Sequence, residues 1–289
     1  MFLATHGIIR NNSGGGSFLL DTYSGASAGY SLRKLSSTYS GSCIRVRRSS
    51  DNAEQDFGFV SNALDTASLL TFVGAGNGFV TTWYDQSGLG RNAIQTTASN
   101  QPIIATSGVV NTLNGKNTIR FNLANSQFLF VNSTTVLNIQ DCLSTFSVMS
   151  FVNTGGFFGT IMSKGYGAEG AYFIFQPASQ NNFGVGIESQ PYFQTATDKN
   201  RNEQYLFSNT NATGTNGIKL YKNNSIFGEF TTTENLNGSN IYKFNIGRND
   251  RDAGSYIDGN IQEIICYPIN QNANLTNINT NINTYYSIY

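Results

Sequence analysis

Charge is scarce in this sequence. Asp, Glu, Lys and Arg make up only 12% of its 289 residues, about half the fraction usual in soluble domains. The 17 basic and 17 acidic residues cancel, leaving no cationic surplus for phosphates, so nucleic acid is not an expected partner. The one basic cluster, Arg45, Arg47 and Arg48, reads as charge alternating along a strand. Cysteine is almost absent. Cys43, Cys142 and Cys266 are far apart and odd in number, which argues against a disulfide framework or a zinc site. Their apolar neighbours mark them as small buried hydrophobes, as suits folding in a reducing cytosol. The single histidine is His6, so a Ser-His-Asp triad is not expected. No apolar run approaches the roughly 18 residues of a membrane span. The first ten residues lack the basic start and unbroken apolar stretch of a secretory signal.

Aromatic residues are plentiful instead, at 13% of the chain. With abundant Gly, Asn, Ser and Thr they suit short strands joined by many turns. Alternating apolar residues predict strands over 119–131, 145–152, 158–162, 171–175, 183–187, 204–208, 218–230, 242–246 and 259–267. Within 218–230, Asn223-Asn224 separates two apolar pieces, and both residues tolerate the positive φ of a tight hairpin turn. A helical turn is expected within 61–72. Leu275, Ile278, Ile282, Tyr285, Tyr286 and Tyr289 fall on one helical stripe, with Asn274 as its expected cap. Gly74–Gly78 is a loop, with no βαβ context for a phosphate-binding role. No solenoid repeat is present. Many strands without alternating helices predict an all-β sandwich with short helices, one of them C-terminal.

Residues 1–17 read as an arm: Phe2, Leu3, Ile8 and Ile9 precede a flexible Gly14-Gly15-Gly16 joint. Residues 18–289 form the domain. Asp250, Asp252 and Asp258 cluster near one loop and are the candidate calcium ligands, since a hard cation needs several oxygens. No other cofactor is expected. Tyr166, Tyr172, Tyr192, Phe193 and Tyr256 lie in or beside loops and are candidate sugar-stacking residues; core or subunit packing is the alternative.

Two stretches carry a family resemblance. Tyr39-Ser40-Gly41 with Arg45 and Ser50-Asp51, and Trp83-Tyr84-Asp85-Gln86-Ser87-Gly88-Leu89-Gly90-Arg91-Asn92, resemble the arabinofuranosidase B catalytic domain. Asp85 is expected to make an Asx turn, Gly88 and Gly90 to supply backbone freedom, and Trp83 and Tyr84 to anchor a strand in the core. A later run (Gly115-Lys116, Ile119-Arg120-Phe121, Ser163-Lys164-Gly165, Ile246-Gly247-Arg248 and Gly259–Ile265) resembles the concanavalin A-like, laminin G-like superfamily. That resemblance implies a jelly-roll sandwich.

The arabinofuranosidase resemblance implies a nucleophile at Glu188 and an acid at Asp250, two carboxyls facing one sugar bond. The family's acid position also aligns with Asn249, which cannot donate that proton, and Arg248 would hold a nearby carboxylate ionised. The expected function is therefore non-enzymatic. Together with the short start of the chain, the sequence resembles virion proteins of tailed, crAss-like bacteriophages: head or tail fibre, or capsid decoration, components assembled in the host cytoplasm. This resemblance implies docking on other virion proteins through the arm, and a homo-oligomer, a trimer by analogy with phage fibres. The alternatives are an adhesin for a host-surface glycan and an arabinofuranosidase-like glycoside hydrolase.

Overall fold

The computed structural model describes residues 18–152, 159–165, 172–176, 184–187, 193–194, 203–232, 241–249 and 255–289. The predicted all-β sandwich is the observed architecture. Antiparallel pairing links nineteen of the strands into one sheet that folds over on itself. Its larger layer runs from the Ser225–Thr232 strand through Gly214–Lys222, Tyr205–Thr210 and Ser144–Phe151 to Gly259–Tyr267. From there pairing passes through Ile119–Phe121, Ile103–Thr106, Gly78–Trp83 and Ala93–Ile94. It enters a smaller layer of Leu129–Val131, Phe244–Ile246, Gly159–Lys164, Tyr172–Gln176 and Gly184–Ile187.

One hydrophobic core fills the space between the layers. Met149, Phe151, Ile261 and Ile264 project from the larger layer; Leu129, Val131, Met162, Phe244 and Ile246 meet them from the smaller. Tyr30 bridges the two, 5.8 Å from the Trp83 ring and 6.5 Å from that of Phe244. Each such buried side chain is worth about 1.5–3 kcal/mol of transfer free energy. A second core lies on the other face of the larger layer. There Leu275, Ile278, Ile282 and Tyr286 of the C-terminal helix Leu275–Tyr286 pack on Phe146, Val148, Ile265 and Tyr267. Of the stripe predicted for this helix, Leu275, Ile278, Ile282 and Tyr286 are buried, Tyr285 is half-buried, and Tyr289, past the helix end, is 50% exposed.

A β-bulge makes the two-core arrangement work. Val148 pairs with Glu263 and Met149 with Ile261, so Gln262 is an extra residue. Its side-chain amide sits among the carbonyls of Leu113, Lys116 and Asn117. Strict alternation would put Ile261 and Glu263 on one face. The extra residue sends Ile261 into the sandwich core and Glu263 under the helix, where Arg33 meets it with two hydrogen bonds of 2.7 and 2.9 Å. Ser31 Oγ donates to the same carboxylate at 2.7 Å, and Asn281 accepts from Arg33 at 3.0 Å. Both charges are buried and each guanidinium nitrogen and carboxylate oxygen has a partner, the condition under which a buried pair is tolerated.

Three expectations need correction. The segment 119–131 is not one strand but two, Ile119–Phe121 and Leu129–Val131, split by a 3-10 turn at Leu123–Asn125 where the Asn122 side chain accepts from Ala124 N–H. Asn274 occupies the N-cap position without capping; its amide donates to Gln271 instead. Tyr84 is half-buried at the surface, its hydroxyl donating to Asp56 at 2.7 Å, whereas Trp83 is fully buried as expected. The expected hairpin is present, with φ of 49° at Asn223 and 67° at Asn224. The helical turn is Thr66–Val73, with Asp65 accepting from Ser68 N–H. Arg45 and Arg47 alternate with buried Ile44 and Val46, and the cluster is neutralised locally by Glu54, Asp56 and Asp51. All three cysteines are buried free thiols.

Candidate functional site

Asp85 is spent on architecture. One carboxylate oxygen accepts from Gly29 N–H and Ser87 N–H, both at 2.9 Å; the other accepts from Ser87 Oγ at 2.7 Å and Arg91 N–H at 3.1 Å. This is the expected Asx turn, extended into a clasp on the strand Ala28–Ser31. Gln86 completes it, accepting from Leu35 N–H at 2.8 Å and donating to the carbonyls of Ser31 and Arg33 at 3.0 Å. Gly88 and Gly90 take φ of 88° and 68°, the left-handed backbone that favours glycine. Four acceptor contacts leave this carboxylate no free lone pair with which to do chemistry.

The outer face of the smaller layer differs. Leu129 and Val131 point into the core, so Phe130 between them points out. Backbone register aligns Phe130 with Asn245 and Asn245 with Ser163, and continues through Phe173 and Gly186. Phe128, Phe130, Ile241, Tyr242, Lys243, Asn245 and Arg248 line a cavity of about 310 Å³. The Arg248 guanidinium lies 4.4 Å from the Phe128 ring centroid, and Lys243 Nζ lies 4.6 Å from that of Phe130. Such cation–π contacts hold flat rings and charged donors in fixed relation. Lys243 also donates to Asn132 at 2.9 Å, and Asn245 donates to the Lys243 carbonyl at 3.1 Å. Tyr256 joins from a neighbouring loop, 6.0 Å from Phe128 and bridged by backbone to Arg248 and Thr160.

Of the predicted sugar-stacking residues, the structure brings Tyr256 to this face. Tyr166 and Tyr192 lie outside the described residues; for Tyr172 and Phe193 only the strand positions are described. Glu188, Asp250, Asp252 and the docking arm (Phe2, Leu3, Ile8, Ile9) also lie outside them. Asp258, the third candidate calcium ligand, is ion-paired with Arg120. Among the described residues no group of three or more His, Cys, Asp or Glu is placed to hold a metal ion.

The residues preceding the candidate carboxyls are described and are not neighbours. Ile187 is level with Tyr172, Lys164 and Phe244 in register. Asn249 lies past the other end of the Phe244–Ile246 strand, beyond Arg248, at the Thr160 end. Asn249 is buried, and its N–H donates to the Ser255 carbonyl at 3.2 Å.

Lys164 lies opposite Phe244 and so faces the interior of the sandwich rather than this surface. It is buried, and its ammonium donates to the carbonyls of Thr134 and Val136. Burial pulls its pKa down to about 8. Sequence reasoning missed Phe128, Phe130, Tyr242, Lys243 and Asn245. The available signal was the outward parity of Phe130 between two core residues.

The arabinofuranosidase B catalytic-domain model matches residues 22–182. That is more than half of the chain. The chain belongs to the α-L-arabinofuranosidase B catalytic family. Both quoted motifs fall inside the matched segment, and it ends before Glu188 and Asp250. Solved arabinofuranosidases share the fold. One, complexed with arabinofuranosyl-α-1,2-xylobiose, is 15% identical with a TM-score of 0.63. A mutant GH54 α-L-arabinofuranosidase soaked with 4-nitrophenyl α-L-arabinofuranoside is 14% identical at 0.59, and one soaked with a cyclic sulfate inhibitor is 14% identical at 0.60. Each comparison covers 91% of this chain, which spans 64% of the solved protein's length. No curated protein sequence matches the chain.

Proposed function

We propose that this arabinofuranosidase B family domain recognises carbohydrate bearing α-L-arabinofuranosyl groups, with the outer face of the smaller layer as its contact surface. The observation that supports this is the pairing of outward aromatic rings, Phe128, Phe130 and Tyr256, with polar Asn245 and cationic Lys243 and Arg248 on one face. Rings stack on the apolar faces of sugars while the polar groups bond their hydroxyls. The test is titration of the full chain with arabinofuranosyl-xylobiose, followed by NMR. Binding that weakens in Phe130→Ala and survives in Phe59→Ala supports the reading. No response of the Phe128–Phe130 and Lys243–Arg248 resonances at millimolar sugar overturns it.

A hydrolase form would need Glu188 as nucleophile and Asp250 as acid at one sugar bond, and the separation of Ile187 from Asn249 speaks against that pairing. Release of 4-nitrophenol from 4-nitrophenyl α-L-arabinofuranoside, abolished in Glu188→Gln, would establish it. The second reading is a binding module without hydrolysis, carried on a virion as a fibre or decoration component. Asn249 favours it where the resemblance puts the acid position on Asn249 rather than Asp250: an amide retains hydrogen bonding and cannot deliver the proton. In that form the arm docks the domain to other virion proteins, in a homo-oligomer, and the ligand is a host glycan. Deleting residues 1–17 should then leave a folded, sugar-binding domain that no longer joins particles; particles that still incorporate it would sink the docking role.

A further inference from the structure

The two motif loops that carry the family likeness enclose a cavity of their own, which shares no lining residue with the aromatic face. It measures about 380 Å³, within the roughly 300–1,000 Å³ of small-molecule sites. Leu20 and Ala26, members of the helix-side core, provide apolar lining. Hydroxyl groups and backbone form most of the remainder, including Ser24, Thr38, Ser40 and Ser87. No charged side chain is among its described lining residues. Two carboxylates border it: Asp21 accepts from Ser36 Oγ at 2.7 Å and Ser37 N–H at 3.1 Å, and Asp85 accepts from Ser87 Oγ at 2.7 Å. Lys34 Nζ donates to the Ser37 carbonyl at 3.3 Å, so one cation stands against two carboxylates and an anionic ligand is disfavoured.

The cavity is preorganised. Gln86 pins its base through three hydrogen bonds to the Ser31–Leu35 segment, and Leu20 N–H donates to the Leu35 carbonyl at 2.8 Å. Tyr39 contributes the one aromatic ring. Its hydroxyl donates to the Ser42 carbonyl at 2.8 Å, and its edge meets Phe59 at 6.3 Å. The ring folds back over Gly41 so closely that a Cβ there would lie 2.6 Å from the Tyr39 hydroxyl. A ring held by both ends, a hydroxyl-rich wall, a small apolar floor and no charged side chain in the lining describe a receptor for an uncharged polyol.

We propose that this cavity is a second saccharide site, taking one or two units of a neutral glycan through the Tyr39 ring and the serine and threonine hydroxyls. It goes beyond the proposed function, since it shares no residue with the outer face of the smaller layer. Two separate sites on one domain would let a single branched glycan, or two chains, be gripped with avidity.

The test uses the full chain and amide NMR, with arabinofuranosyl-xylobiose as the neutral probe and a digalacturonate as the charged one. The neutral probe should shift the resonances of residues 24–26, 36–41 and 86–88 at millimolar concentration, and digalacturonate should not. Ser40→Trp, at an exposed lining position, should fill the cavity and weaken that response at least tenfold. Thr38→Trp is a second exposed filling variant, and thermal unfolding of both shows whether they fold. Phe130→Ala should leave these shifts intact, which separates failure here from failure of the aromatic face. No shift in these loops, an equal response to digalacturonate, or a response that survives both filling variants would overturn the proposal.

Discussion

The two sides of the sandwich handle polar groups in opposite ways. On the helix-covered side, Arg33, Glu263, Ser31 and Asn281 consume one another's hydrogen-bonding capacity beneath a lid of Ile278, Ile282 and Tyr286. On the outer face of the smaller layer, Lys243 and Arg248 lie over phenylalanine rings beside a cavity. The first arrangement specifies how the helix docks. The second keeps rings and donors at a surface, where a ligand can use them. The same chemistry is structural when enclosed and available when open, and burial, rather than residue type, separates the two.

The largest test of that contrast is Arg33→Leu. It strands a buried Glu263 carboxylate and should cost about 3–5 kcal/mol in urea unfolding, with sugar binding at the outer face unchanged. Restoring most of that stability with Arg33→Leu combined with Glu263→Leu would show that the loss was uncompensated charge rather than lost attraction. Asp85→Ala should come next, at about 2–3 kcal/mol, because hydrogen bonds to a charged group are the stronger kind. Near-wild-type stability for Asp85→Ala would mean the motif is kept for something other than the clasp.

Lys164 provides a pH-dependent test at the edge of the open layer. Its folded pKa of about 8 lies below the roughly 10.4 of an unfolded lysine. Between those values the unfolded chain holds a proton that the folded chain has released, so this group's contribution to stability rises with pH across that window. The groups near it are Cys142, Asp141 and Arg91. Relative to Lys164→Met, the wild type should therefore gain stability as pH rises above 8 in paired denaturant titrations. A pH-independent difference would refute the burial argument. Phe130→Ala should have the smallest effect on stability, below about 1 kcal/mol for a half-exposed side chain, and a clear effect on sugar affinity. The reverse pattern would move Phe130 from the site to the core.

Much of this architecture was legible because the strands carry apolar runs bounded by turn residues. The Gly259–Tyr267 strand follows from its apolar run, the Asn223-Asn224 hairpin from turn chemistry, and the C-terminal stripe from helical period. The role of Asp85 was legible too, since an Asx turn is encoded within three residues. The aromatic face was not. Phe128 and Phe130, Lys243 and Asn245, and Tyr256 come from three separate segments, and only register between strands brings them together. The loss of Asn274 as a cap was equally hidden, because it depends on the competing Gln271 acceptor.

The extra residue at Gln262 has a consequence for anyone splicing this strand into a relative. It resets the odd–even count, so that every side chain after it answers to the opposite layer from the one its spacing implies. Pairing the strand in regular register, with Gln262 counted in the alternation, would turn Glu263 and Tyr267 toward the sandwich interior and Ile264 toward the helix. A graft that conserves every residue identity but miscounts by one would scramble both interiors.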